Sequence, residues 1–185
     1  ENAVGTYGGT YARHARSFMQ FDISSVQAMF GAGTRVTSAK LQIMTRHASA
    51  ANHPNASATY GVYRMLDSWN VDEVTFLERK AGVPWVGVQS CPWVQGPWNT
   101  GDEIALMPTD EIVVSWGTSM WEESVEQFDV TADLNTWLSG AADNFGWFIR
   151  ANTWDYADEG EDPFDWSNPD SAWVNLQLYG SEVAE

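Results

Sequence analysis

The sequence predicts an all-β protein, an antiparallel β-sandwich of jelly-roll type with one short helix. Short runs in which apolar and polar residues alternate recur along the chain, and a period of two is typical of strands that bury one face. Segments rich in Gly, Pro, Asn and Asp separate these runs, as in sandwiches built from many short strands. A length of 185 residues suits one such domain, so we assign residues 1–185 to a single β-sandwich domain.

The alternating runs predict both the strands and the core. Leu41 and Ile43 alternate with Lys40 and Gln42, for example, so the apolar pair is expected to face inwards. Residues 46–59 are small and polar, and they predict a loop. The predicted strands lie within residues 17–22, 40–43, 60–65, 112–116, 147–150 and 173–179. The residues expected in one core between two sheets are Leu41, Ile43, Val62, Val114, Val130, Ile149, Leu176 and Leu178.

One helix is predicted after residue 130. The apolar residues between 130 and 138 recur at the spacing of one helical face. Thr131 is a suitable N-cap and Gly140 a suitable stop just beyond the last apolar residue. This helix is expected to cover an open end of the sandwich.

Composition excludes several classes of function. The 25 acidic and 9 basic residues give a net charge of −16, which opposes binding to nucleic acid or to anionic membrane surfaces. No run of about 18 apolar residues is present, so membrane insertion is not expected. Cys91 is the only cysteine, and the histidines lack metal-ligand spacing. Adjacent carboxylates such as Glu122 and Glu123 are inevitable among so many acids, so we predict that the protein is not an enzyme.

Eleven tryptophans are the largest anomaly of composition. Five lie beside predicted strands or the helix and are expected to pack as scaffold: Trp69, Trp85, Trp137, Trp147 and Trp173. Five others lie in polar loops rich in Gly and Pro: Trp93, Trp98, Trp121, Trp154 and Trp166. An exposed indole offers a flat apolar face on which a sugar ring can stack. These loop tryptophans are therefore candidate ligand-binding residues, although burial in the protein or in a contact between subunits would also explain them.

An acidic segment at residues 155–165 is a candidate calcium site. Calcium takes six to eight oxygen ligands, and closely spaced carboxylates on a loop with Gly and Pro can supply them. The candidate ligands are Asp158, Glu161 and Asp162, which would make calcium a structural cofactor. The spacing is not that of an EF-hand, and a solvated acidic loop is the alternative.

Five segments occur in an order that resembles DNRLRE-type domains, which are bacterial extracellular β-sandwiches. The most informative is residues 63–85, in which Trp69 ends a strand, acidic residues follow, and Ala-Gly-Val-Pro-Trp closes the segment. The other four are residues 16–25, 36–43, 128–147 and 173–179. Carbohydrate-binding modules of the alginate-binding kind are similar. The resemblance implies a non-catalytic module at the extracellular or cell surface that binds polysaccharide.

The same resemblance leaves a structural role open. The family opens with an additional strand, whereas fifteen residues precede Arg16 here, and no signal peptide is seen, so a mature form is expected. Residues 1–12 either fold back on their own domain or reach into a neighbouring copy. The alternative function is therefore a subunit of a filament, or a decoration protein on a virion or cell, that assembles with copies of itself through its N-terminal segment and loops.

Overall fold

The computed structural model describes residues 17–30, 33–48, 57–75, 78–85, 103–115, 122–155 and 175–178. Over these ranges the protein is all-β, with antiparallel sheets and two short helices, as the alternating runs predict for the fold class. The strands are β1 (Ser17–Met19), β2 (Lys40–Ala48), β3 (Ser57–Arg64), β4 (Glu78–Lys80), β5 (Val83–Pro84), β6 (Asp110–Ser115), β7 (Glu122–Asp129), β8 (Trp147–Asp155) and β9 (Asn175–Leu178). The helices are α1 (Ser24–Phe30) and α2 (Thr131–Leu138).

Two larger sheets and one hairpin organise these strands. The four-stranded sheet has the order β1-β8-β3-β6, and the three-stranded sheet has the order β7-β2-β9. The hairpin β4-β5 forms a separate two-stranded sheet. Each described pairing is antiparallel.

The two larger sheets share one hydrophobic core, which gives the fold its sandwich-like character. Leu41, Ile43 and Phe128 contribute from the three-stranded sheet, and Val62 and Ile149 are among those that contribute from the four-stranded sheet. Six of the predicted core residues are at most 5% exposed: Leu41, Ile43, Val62, Val114, Val130 and Ile149. The side chains of Leu176 and Leu178 lie outside the described part of the structure.

The four-stranded sheet is also partly buried on its other face, around the ends of β3 and β8, although Val113 of β6 is 66% exposed. Tyr63, Met65 and Phe148 form a second apolar cluster there, and Met65 is only 1% exposed. Residues 66–75 and 78–85, which we call the cover segment, supply Trp69 and Trp85 to this cluster. The segment that is most informative in the sequence therefore works as scaffold.

Arg79 fastens the cover segment to the sheet. Its Nη1 atom donates to the Ser68 carbonyl at 2.7 Å and lies 2.8 Å from Asp67 Oδ1. Its Nε atom lies 3.8 Å from Oε1 of Glu103, a buried carboxylate beside the end of β3. The Arg79 and Glu103 side chains are only 13% and 8% exposed, so their contact is shielded from solvent, whereas Asp67 is 41% exposed.

Polar contacts join helix α2 to the four-stranded sheet and to the segment that precedes β2. Asp133 Oδ2 accepts hydrogen bonds from Thr109 Oγ1 at 2.6 Å and from Trp147 Nε1 at 2.8 Å. The Asn135 side chain exchanges two hydrogen bonds with the backbone of Val36. These bonds satisfy a buried carboxylate and fix the position of the helix over the core.

The local structure corrects three expectations. A second helix, α1, is present, because Asp22 and Ser24 begin a short turn that the strand pattern had hidden. The predicted loop at 46–59 is shorter, since β2 extends to Ala48 and β3 begins at Ser57. Thr131 is the first residue of α2 rather than its N-cap, and its amide donates to Asp129 Oδ1 at 3.0 Å.

Candidate functional site

The candidate site is an open depression where β1 leads into α1. Its volume is about 490 Å³, and we call it the Phe21 depression. Met19 is the last residue of β1, so the chain leaves the sheet immediately before the residues that form the depression. The lining residues are Gln20, Phe21, Asp22, Ile23, Ser24, Gln27 and Asn144.

Phe21 gives the depression an exposed aromatic ring. The side chain is 53% exposed, although it is a large apolar group. Its ring meets the buried ring of Trp147 edge to face, with centroids 6.3 Å apart. Trp147 in turn packs against Trp137 at 4.7 Å, so the exposed ring rests on a rigid aromatic base.

Asn144 holds the backbone of the depression in place. Its Nδ2 donates to the Phe21 carbonyl at 2.8 Å, and its own carbonyl accepts from Gln20 Nε2 at 2.7 Å. Its Oδ1 accepts from the Gly146 amide at 3.0 Å, which closes a tight turn before β8. The bonds of Asn144 with Gln20 and Phe21 connect positions more than 120 residues apart in sequence.

Gly146 allows this close approach of the two chain segments. Its φ of +79° lies in the left-handed region that favours glycine. A Cβ atom at this position would overlap the Met19 carbonyl oxygen and would lie 2.8 Å from the Cα atom of Gln20. A glycine at position 146 is thus required by the packing of the turn on the end of β1.

Asp22 supplies the negative charge of the depression. Its Oδ1 accepts from the Ser24 amide at 2.8 Å. That hydrogen bond, together with one from the Ser24 hydroxyl, lowers the pKa of Asp22 below its ordinary value of 3.8. The carboxylate is therefore ionised at neutral pH, and it keeps lone pairs that can accept further hydrogen bonds.

Gln27 adds an amide group to the lining of the depression. It lies in α1 and is exposed, and no hydrogen bond joins its side chain to the rest of the described structure. An amide offers both donors and an acceptor, so it can bind a hydroxyl group in either sense. The Phe21 depression thus combines one aromatic surface with a carboxylate and amides, which is a combination suited to a polyhydroxylated ligand.

The residues predicted as ligands from sequence are not brought into this depression by the described structure. The prediction that Trp154 lies in a loop is wrong, because it lies in β8, where its backbone pairs with Ala58 of β3. The other loop tryptophans fall outside the described residues: Trp93, Trp98, Trp121 and Trp166. The candidate calcium ligands also lie outside the described residues: Asp158, Glu161 and Asp162. Within the described ranges no group of three or more His, Cys, Asp or Glu side chains is placed to hold a metal ion.

The tryptophans predicted as scaffold are placed mainly as expected. Trp137 and Trp147 are buried, at 3% and 5% exposed. Trp69 and Trp85 are only half-buried, and each donates its indole N–H to a backbone carbonyl, that of Phe145 or that of Thr75. Trp69 packs against the second cluster as expected, but it is only partly buried there. Trp173 is outside the described residues.

Phe21 is not among the site residues that the sequence predicts. The alternation at 17–22 places it on the same face as Ser17 and Met19, but β1 ends before it. The Asp22-Ile-Ser24-Ser25 sequence is the signal that indicates the end of the strand, since Asp and Ser commonly begin helices and turns.

Comparison with family models, with curated proteins and with solved structures finds no match for this chain. Among the described helices, none has the length and apolar character needed to cross a membrane.

Proposed function

We propose that this chain is a non-catalytic extracellular module that binds polysaccharide. The observation that carries the proposal is the Phe21 depression, where a half-exposed ring lies beside an ionised carboxylate and the exposed amide of Gln27. Sugar rings have an apolar face that packs on aromatic rings and hydroxyl groups that bond to carboxylates and amides. The open shape of the depression suits an internal stretch of a polymer rather than an enclosed small molecule.

The resemblance to DNRLRE-type domains supports the same function and a position at the cell or virion surface. It also leads us to propose that the sandwich-like fold has jelly-roll connectivity. The tryptophans that the sequence analysis named as candidate ligand-binding residues would extend the binding surface: Trp93, Trp98, Trp121, Trp154 and Trp166. Calcium would stabilise the acidic segment through Asp158, Glu161 and Asp162.

Native affinity electrophoresis tests the proposed function. The protein is run through gels with and without soluble polysaccharides, alongside an acidic non-binding reference protein, in calcium and in chelator. We expect at least one polysaccharide to retard the protein relative to the reference. Equal mobility in every gel would overturn the proposal, and release of reducing sugar from the retarding polymer would show that the module is catalytic.

A structural subunit is the second candidate, and an exposed apolar pair favours it. Met44 of β2 lies directly opposite Val125 of β7, on the face away from the core residues Leu41 and Ile43. Both side chains are about half exposed, at 50% and 49%. Side chains of this kind at the centre of a sheet face are suited to contact with a neighbouring copy. Light scattering tests this candidate: a regular oligomer that Met44→Gln dissociates would support it, and a monomer at high concentration would exclude it.

A further inference from the structure

We infer that the Phe21 depression binds an uncharged glycan and discriminates against uronate and sulfated polymers. This inference rests on the proposed function, and it assigns the ligand class to a defined set of side chains: Phe21, Asp22 and Gln27. The loop tryptophans are not required for it.

The charge of the lining residues carries the first step. Of the seven described residues that line the depression, Asp22 alone is ionisable, and none of the seven is basic. Its carboxylate is held by the Ser24 amide, so it stays in place and stays ionised. A carboxylate or sulfate group of a ligand would therefore meet a fixed negative charge, with no cation among the described lining residues to neutralise it.

The hydrogen-bonding groups carry the second step. The Asp22 carboxylate accepts hydrogen bonds and cannot donate them, so it selects ligand hydroxyl groups. Gln27 provides both donors and an acceptor on α1, within reach of the same depression. With the Phe21 ring as the apolar surface, these groups fit a sugar that presents one apolar face and vicinal hydroxyl groups at its edge.

The test must separate the charge of the depression from the net charge of −16, which repels every polyanion at low salt. We would use polymers that share a backbone and differ in charge. Dextran, dextran sulfate and diethylaminoethyl-dextran form one set, and hydroxyethyl, carboxymethyl and quaternised hydroxyethyl cellulose form a second. Each set is titrated with the whole chain in chelator at about 1 M salt, where screening reduces the Debye length to about 3 Å.

Two variants and two matched controls locate the binding site. Phe21→Ala and Gln27→Ala should each weaken binding of the neutral polymer, by about tenfold for Phe21→Ala. Met29→Ala removes a side chain of the same helix that is 72% exposed and outside the depression, and it should leave affinity unchanged. Asp22→Asn should reduce the preference for neutral over anionic polymer, whereas Asp143→Asn, with the same change of charge outside the lining, should not.

The outcomes distinguish this inference from the proposed function. Preference for a neutral polymer, with loss in the Phe21 and Gln27 variants, supports both. Equal or tighter binding of an anionic or cationic member at 1 M salt overturns the inference and leaves polysaccharide binding in place. Unchanged affinity in both variants, with melting curves that show folded protein, overturns the assignment of the site. Failure of the wild-type chain to bind any polysaccharide in the affinity gels overturns the proposed function itself.

Discussion

At the scale of a single residue, Trp137 and Trp147 differ in whether the buried indole N–H group has a hydrogen-bond partner. Both indoles are buried, yet Trp147 Nε1 donates to Asp133 at 2.8 Å, whereas Trp137 Nε1 has no hydrogen-bond partner among the described residues. Replacement of either by Phe removes a similar volume. We expect Trp147→Phe to lower the free energy of unfolding by about 1–3 kcal/mol more than Trp137→Phe, because only the former removes a hydrogen bond to a buried carboxylate.

Denaturant unfolding of the two Phe variants and of Trp137→Ala measures this difference. The Ala variant should be destabilised by about 3–5 kcal/mol, since it leaves a large cavity in the core. Equal losses in the two Phe variants would mean that the Asp133 bond contributes no net stability.

A second prediction at the residue scale concerns Gly146. Gly146→Ala should cost about 3 kcal/mol or more, because left-handed strain of about 1–2 kcal/mol adds to an overlap with the end of β1. Gly140 is the matched control: its φ is +73°, but nothing lies within 4 Å of a Cβ built there. Gly140→Ala should therefore show the strain alone. Thermal unfolding compares the two, and similar losses would contradict the close approach at Gly146.

The junction of β2, β7 and α2 predicts a pH dependence at the scale of elements. The carboxylate of Asp129 accepts from Lys40 Nζ at 2.8 Å and from the Thr131 amide at 3.0 Å. These bonds hold the pKa of Asp129 well below its ordinary value of 3.8, and the bond from Lys40 contributes most to the shift. A carboxyl group with a lowered pKa stabilises the fold above its unfolded pKa, and this stabilisation is lost as the pH falls through the lower folded pKa.

The difference in stability between the wild type and Asp129→Asn should therefore be largest at neutral pH and should shrink below pH 3.8. Urea unfolding across this range measures it, with Asp72→Asn as a control at an exposed turn. A difference that stays constant with pH would show that the two bonds do not depend on ionisation of Asp129.

The cover segment makes a further prediction at the element scale. Arg79→Ala removes the cation that faces buried Glu103, so we expect a loss of about 3 kcal/mol and faster hydrogen exchange across the cover segment. Lys80→Ala is the matched control, because its amine makes only a 3.4 Å contact with Ser68 Oγ. Unchanged exchange in the Arg79 variant would mean that the aromatic contacts alone hold the segment.

Alternation located strands with one buried face and strands with two, but it predicted the burial of only one face. Leu41 and Ile43 could be assigned to the core because polar neighbours separate them. Tyr63 and Met65 would be expected to face solvent opposite Val62, and their burial follows from a cover segment that the pattern of β3 does not contain. One of the contacts that hold that segment on the sheet, Phe18 stacked on Trp85 at 5.2 Å, joins residues distant in sequence.

The candidate site was less accessible to sequence reasoning than the fold. Gly and Pro neighbours mark loops clearly, so the sequence predicts exposed aromatic rings at the tryptophans in such segments. Phe21 has no such neighbours and follows a strand directly, so it resembles a core residue. Its exposure depends on the Asn144 turn, which holds the Phe21 backbone from 123 positions away and cannot be inferred from local spacing.

The two proposed functions differ most clearly at the scale of the whole molecule. A binding module acts as a single copy and has its ligand surface open, whereas a structural subunit covers apolar surface with another copy. The exposed ring at Phe21 favours the first arrangement, and the exposed pair at Met44 and Val125 favours the second. A measurement that reports mass and ligand binding together can therefore decide between them.

Sedimentation velocity with a fluorescently labelled neutral polysaccharide is that measurement. Without polymer we predict a monomer of 20.6 kDa, and with polymer we predict co-sedimentation that Phe21→Ala reduces and Met29→Ala does not. A large regular assembly in the absence of polymer, together with no co-sedimentation when polymer is added, would contradict the account and favour a structural subunit.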